Sequence, residues 1–146
     1  MKLSEHFDLD ELTVSETAAR HGLDNTPGTE EIENLRLLAR MLESVRTILG
    51  DNVIIVTSGY RSPAVNALVK GSTTSAHMSG LAADFICPSF GSPLNVCLAV
   101  VGSNVSFDQC IHEFGRWCHL AVGGQWRRQA LTICSGTGYQ QGILPC

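Results

Sequence analysis

The sequence predicts an α+β fold in a single domain spanning residues 1–146, with a small antiparallel sheet flanked by helices. Three observations predict it. Helical signals fill the first third of the chain, and short strand-like runs with helices interspersed fill the rest. No repeat, low-complexity stretch or linker divides the chain, and 146 residues suit one core better than two. A hydrophobic fraction of 44% against 16% charged residues supplies the apolar material for that core and excludes a disordered chain.

The elements follow in order. Thr13-Val14-Ser15-Glu16 fits a capping box and predicts a short helix ending near Gly22. Asn25-Thr26-Pro27-Gly28 is a turn, after which Thr29 caps a segment carrying Glu30 and Glu31 where the helix dipole favours negative charge. Ile32, Leu35, Leu38, Leu42, Val45 and Leu49 recur at three- and four-residue steps and form one apolar stripe, which stops at Gly50. The β-branched run Val53 to Val56 predicts a buried strand. Ser62-Pro63 opens a helix over Ala64 to Val69 with Gly71 as its stop, and Ser92-Pro93 opens another through Val101. Leu81 to Ile86, Phe107 to Glu113, Trp117 to Val122 and Gln129 to Cys134 read as strands, and the glycine-rich tail from Gly136 as an irregular wrap.

Composition narrows the function. A net charge of −4 lacks the clustered cations that release counterions from a phosphate backbone, so nucleic acid is not an expected partner. The apolar runs fall far short of the roughly 20 residues that span a bilayer, so no membrane partner is expected either. The opening MKLSEHFDLDEL lacks the basic flank and apolar stretch of a secretory signal, which predicts synthesis in the cytoplasm. A monomer is expected. The six cysteines form no CxxC pair and sit mostly in apolar stretches, which favours buried thiols over a thiolate metal cage or a disulfide framework.

One charged residue, Asp84, interrupts the apolar run LAADFI, and a buried carboxylate must be paired, hydrogen-bonded or bound to a cation. His77 precedes it across a turn containing Gly80, and His119 interrupts a second apolar run, WCHLAV. Two imidazoles, one carboxylate and a water make the ligand set of a catalytic zinc site, which would then lie on the sheet. The spacing alone is loose. It equally admits a hydrogen-bonded structural carboxylate and two satisfied core histidines.

Three motifs in order, SGYRS (58–62), SAHMSGLAAD (75–84) and EFGRWCHL (113–120), resemble the zinc D-Ala-D-Ala carboxypeptidase family, in particular its short phage-type members. The likeness extends to the opening LSEHFDLDELTVSETAARHGLDN and to the later RRQALT, and so covers nearly the whole chain. The resemblance implies a zinc peptidase acting on the peptide stems of peptidoglycan, as a D-Ala-D-Ala carboxypeptidase or an L-Ala-D-Glu endopeptidase. It implies one zinc ion held by His77, Asp84 and His119. Arg61 then pairs with a substrate carboxylate or carbonyl, and Ser75 hydrogen-bonds the substrate. Tyr60 and Trp117 can wall the cleft or simply pack in the core.

The general base departs from the family pattern. Many members place an acidic residue three positions before the last histidine, where this chain has Arg116; Glu113 lies six before it. A hairpin with a three- or five-residue loop puts Glu113 and His119 on one face, whereas a two-residue loop puts them out of phase. In the first register Glu113 can act as the base. His112 alternates onto the opposite face, and His6 and His21 read as ordinary surface residues. With a phage-type likeness and no leader, action at the wall follows release at lysis or delivery on a virion. The displaced acidic residue leaves a second reading, a zinc-containing wall-binding module without turnover.

Overall fold

The computed structural model describes residues 1–146 as five α-helices and a six-stranded sheet. The helices are α1 (Leu9–Thr13), α2 (Glu16–His21), α3 (Thr29–Ile48), α4 (Pro63–Leu68) and α5 (Pro93–Val101). The strands are β1 (Ile55–Ser58), β2 (Ala82–Ile86), β3 (Gln109–Glu113), β4 (Trp117–Ala121), β5 (Gln129–Ile133) and β6 (Gln140–Gln141). They lie in the order β1-β2-β4-β3-β5-β6. This is the expected α+β domain, with one correction: the β3–β5 pairing is parallel, so the sheet is mixed. The cause is the short connection 122–128. It carries the chain from the end of β4 past the start of β3, where Arg128 and Gln129 donate to the carbonyls of Phe107 and Asp108, so β5 sets out in the direction of β3.

The apolar stripe of α3 buries Leu35, Leu38, Ala39, Leu42 and Val45, and α5 buries Val96, Cys97 and Val100. Both pack in one core with Ala83, Phe85, Cys110, Cys118 and Leu120, which alternate onto one face of the sheet. The intervening residues Asp84, Ile111, Glu113, Trp117 and His119 therefore share the other face, which looks into a cleft of about 830 Å³.

Local signals locate most elements, and their caps differ in detail. Ser62 and Ser92 each accept an N–H at a helix start, as predicted. Ser15 rather than Thr13 caps α2, accepting from the Ala18 N–H, while Thr13 ends the unanticipated helix α1. That short helix carries its own capping box, Asp8 with Glu11. Gly28 precedes α3 without a side-chain cap, and Thr29 is its first helical residue. The run at 53–56 is not a buried strand: β1 starts at Ile55, lies at the sheet edge, and leaves Val53 and Ile55 exposed. Cys87, Cys97, Cys110 and Cys118 are buried free thiols as expected, but Cys134 and Cys146 form a disulfide. The tail makes that pairing possible by turning back to add β6 beside β5, a long-range contact invisible to cysteine spacing.

Candidate metal and catalytic site

Asp84 and His119 are direct cross-strand partners on β2 and β4, and His119 Nδ1 lies 2.9 Å from Asp84 Oδ1. His77 arrives from outside the sheet on a 3₁₀ turn, Ala76–Ser79, which Ser75 caps by accepting the His77 N–H. Gly80 closes the turn at φ 75°, and its missing side chain is needed twice over. A Cβ there would lie 2.7 Å from the Glu31 carbonyl oxygen of α3 as well as strain the backbone.

His77 Nδ1 sits 2.7 Å from the Gly59 carbonyl oxygen, which can only accept, so Nδ1 carries the proton and Nε2 presents a lone pair. That Nε2 is buried, has no hydrogen-bond donor, and lies 3.3 Å from Asp84 Oδ1. Two acceptors face each other with nothing between them. The three ligand atoms of His77, Asp84 and His119 all lie within 4.8 Å of one another, so a shared cation satisfies them together. The donor set of two imidazole nitrogens and one carboxylate oxygen suits zinc.

The electrostatics agree. Burial pushes the Asp84 carboxyl up, but the hydrogen bond with His119 and the charge of the neighbouring imidazoles overcome this and hold it well below the usual carboxylate range. Burial pushes His119 down, and its bond to Asp84 reverses this and raises it. In metal-free protein the Asp84 contribution to stability is full above the ordinary carboxylate range and is lost as pH falls below it. The His119 contribution is full below the ordinary imidazole value and is lost as pH rises through the raised one. Melting curves in chelator should therefore peak between these limits and fall on both sides; a profile flat through both limbs would contradict the pairing.

Gly59 matters through its carbonyl, the outer partner that orients His77. A Cβ at residue 59 would meet the Leu12 carbonyl oxygen at 2.2 Å, a backbone contact that cannot give easily. Gly59→Ala is expected to displace that carbonyl and weaken metal affinity by roughly 10–100-fold. Zinc titration against a competing chromophoric chelator measures this, and unchanged affinity would mean His77 is held by something else.

The remaining predicted residues surround this centre. The hairpin loop Phe114-Gly115-Arg116 has three residues and pairs Glu113 with Trp117 and Ile111 with His119. That is the in-phase register, and it leaves Glu113 and His119 diagonal neighbours on the cleft face. The Trp117 indole Nε1–H donates to Glu113 Oε1 at 2.7 Å, and burial pushes the Glu113 carboxyl above its ordinary range. Arg61 also lines the cleft; its Nε is buried without a hydrogen-bond partner, and no carboxylate pairs with it. Ser75 lines the cleft while capping the 3₁₀ turn. Trp117 is a cleft wall, whereas Tyr60 is packed in the core and does not line this cleft. His112 lies on the opposite sheet face, bonded through Nδ1 to the Leu144 carbonyl, and His6 is tied to Glu43 and Arg46. Tyr139 and Gln141 of the tail also line the cleft. No local signal in the glycine-rich tail announces that, because only the return of β6 along β5 brings them there.

A family model described as Peptidase M15 matches residues 5–121. The chain belongs to the peptidase M15 family. The matched span holds Arg61, Ser75, His77, Asp84, Glu113 and His119, and it ends with the last residue of β4. Zinc dependence is general in peptidase M15 proteins, and the convergent His77, Asp84 and His119 atoms fit that ion. M15 membership thus supports a hydrolase of the metallopeptidase type. A comparison with curated proteins finds no match.

Proposed function

We propose that this metallopeptidase hydrolyses the peptide stems of peptidoglycan, as a D-Ala-D-Ala carboxypeptidase or an L-Ala-D-Glu endopeptidase. We further infer that it acts as a monomer at the bacterial wall, released in phage lysis or carried on a virion. The motifs SGYRS, SAHMSGLAAD and EFGRWCHL support the substrate class. The observation that carries the reading is the meeting of three convergent ligand atoms, one of them the buried and unpartnered His77 Nε2, with Glu113 and Arg61 in one cleft.

His77, Asp84 and His119 would hold the zinc ion, which when bound lowers the pKa of water to about 7 and polarises a carbonyl. Arg61 orients the peptide. Its half-buried guanidinium has no carboxylate of its own and can receive a planar carboxylate through two parallel N–H bonds, which favours release of a C-terminal residue. The Ser75 hydroxyl accepts the His77 N–H and keeps its own proton to donate to the peptide. Glu113 takes the proton from the attacking water at a carboxylate oxygen and returns it to the leaving amine. Trp117 fixes that carboxylate through its indole N–H and leaves the second oxygen free. Because burial raises Glu113, the acidic limb of the rate profile should lie above the ordinary glutamate range.

Mass spectrometry of defined muropeptides incubated with zinc-loaded protein tests the proposal. Loss of terminal D-Ala establishes the carboxypeptidase, and scission between L-Ala and D-Glu the endopeptidase. Binding of wall peptide by zinc-loaded protein without cleavage would replace the enzyme with the binding-module reading.

A further inference from the structure

We propose that Cys97, Cys110 and Cys118 form a second metal site, a thiolate centre for a thiophilic ion of the zinc class, on the sheet face opposite the cleft. The three residues come from α5, β3 and β4, and all are fully buried. Their sulfurs lie within 4.8 Å of one another, and Cys110 Sγ to Cys118 Sγ is 3.7 Å. Tetrahedral zinc with Zn–S bonds of about 2.3 Å sets its sulfurs about 3.8 Å apart. The sulfurs thus already stand near the spacing that one ion imposes.

A second observation points the same way. His112 is the direct cross-strand partner of Cys118, and Cys110 is two residues before it on β3, so all three share a face. Its Nδ1 is fixed by the Leu144 carbonyl, and its Nε2 is buried with no partner although the residue is only 2% exposed. That buried lone pair adds an electron-rich group beside the thiols, where a cation is favoured. The His112 ring nitrogens do not lie within 4.8 Å of all three sulfurs, so the donor set is the three thiolates, with the imidazole a buried neighbour on the same sheet face. Arg128, whose guanidinium stacks 4.5 Å from the centre of the Phe107 ring, adds positive charge near Cys110 and balances the excess of the thiolates.

Thiols alone also serve as small core fillers, and Cys87, buried elsewhere in the same core, shows that use. Filling volume does not require three sulfurs from three separate elements to converge on one point. The lack of a CxxC pair, which in the sequence favours buried thiols over a metal cage, weighs only against ligands close together in the chain, and these three come from separate elements brought together by packing. Burial means that the ion enters as α5 closes on the sheet during folding. It should resist chelators that strip the open cleft.

The test uses the whole chain, refolded with cobalt under anaerobic, reducing conditions. A thiolate-to-cobalt charge-transfer absorption is expected, with about two metal ions per chain, of which one survives dialysis against chelator. The absorption should persist in the double variant His77→Ala/His119→Ala and in Cys87→Ala, and disappear in Cys97→Ala. The spectrum of Cys134→Ser/Cys146→Ser, which lacks the two thiols that reduction frees from the disulfide, decides even if Cys97→Ala fails to fold. A cobalt spectrum without charge transfer in protein whose thiols are reduced would overturn the proposal, as would a Cys110–Cys118 disulfide in peptide maps of protein purified under air-free conditions.

Discussion

Replacing His77 by alanine is expected to empty the cleft of metal and to reduce hydrolysis to background. Three atoms define the centre, and the loss leaves only Asp84 and His119 to hold an ion. Removing an outer partner of a ligand typically costs about 10–100-fold in affinity, and removing the ligand itself must cost more. The substitution also deletes the imidazole that ties the 3₁₀ turn to the Gly59 carbonyl. Zinc that chelator can extract, together with muropeptide turnover, reads both effects. Full extractable zinc with normal turnover would show that His77 is a satisfied core histidine after all.

Glu113→Gln should leave that zinc in place and lower kcat by about 10²–10⁴-fold, the usual contribution of a positioned base. The amide keeps the size of the side chain and an oxygen to accept the Trp117 indole N–H, so the hairpin and the melting temperature should barely change. What it loses is the capacity to take a proton at that oxygen. Unimpaired turnover would move the base elsewhere and leave Glu113 as an anchor for Trp117. A loss in KM alone would make it a binding group.

Much of the centre is legible in the chain because polarity in the wrong place is costly. Asp84 inside LAADFI and His119 inside WCHLAV stand out since a buried charge or lone pair needs a partner. Glu113 is legible only as a pair of alternatives, since a shift of one residue in the hairpin would send it to the far face. The three-residue loop and the pairing of Glu113 with Trp117 decide between them. Arg61 stands out through its motif, yet its unpaired, half-buried state depends on what packs around it.

The α+β class, the long helix α3, the serine-capped helices α4 and α5, and the polar interruptions that meet in the cleft are readable from the chain alone. Each is written in residues a few positions apart, through hydrophobic period, capping chemistry or a break in an apolar run. Tertiary structure alone decided the parallel entry of β5, the return of β6, the Cys134–Cys146 disulfide and the meeting of Cys97, Cys110 and Cys118. These depend on which distant segments lie side by side. That choice follows from burying one shared core over the whole chain, and no local pattern of side chains records it.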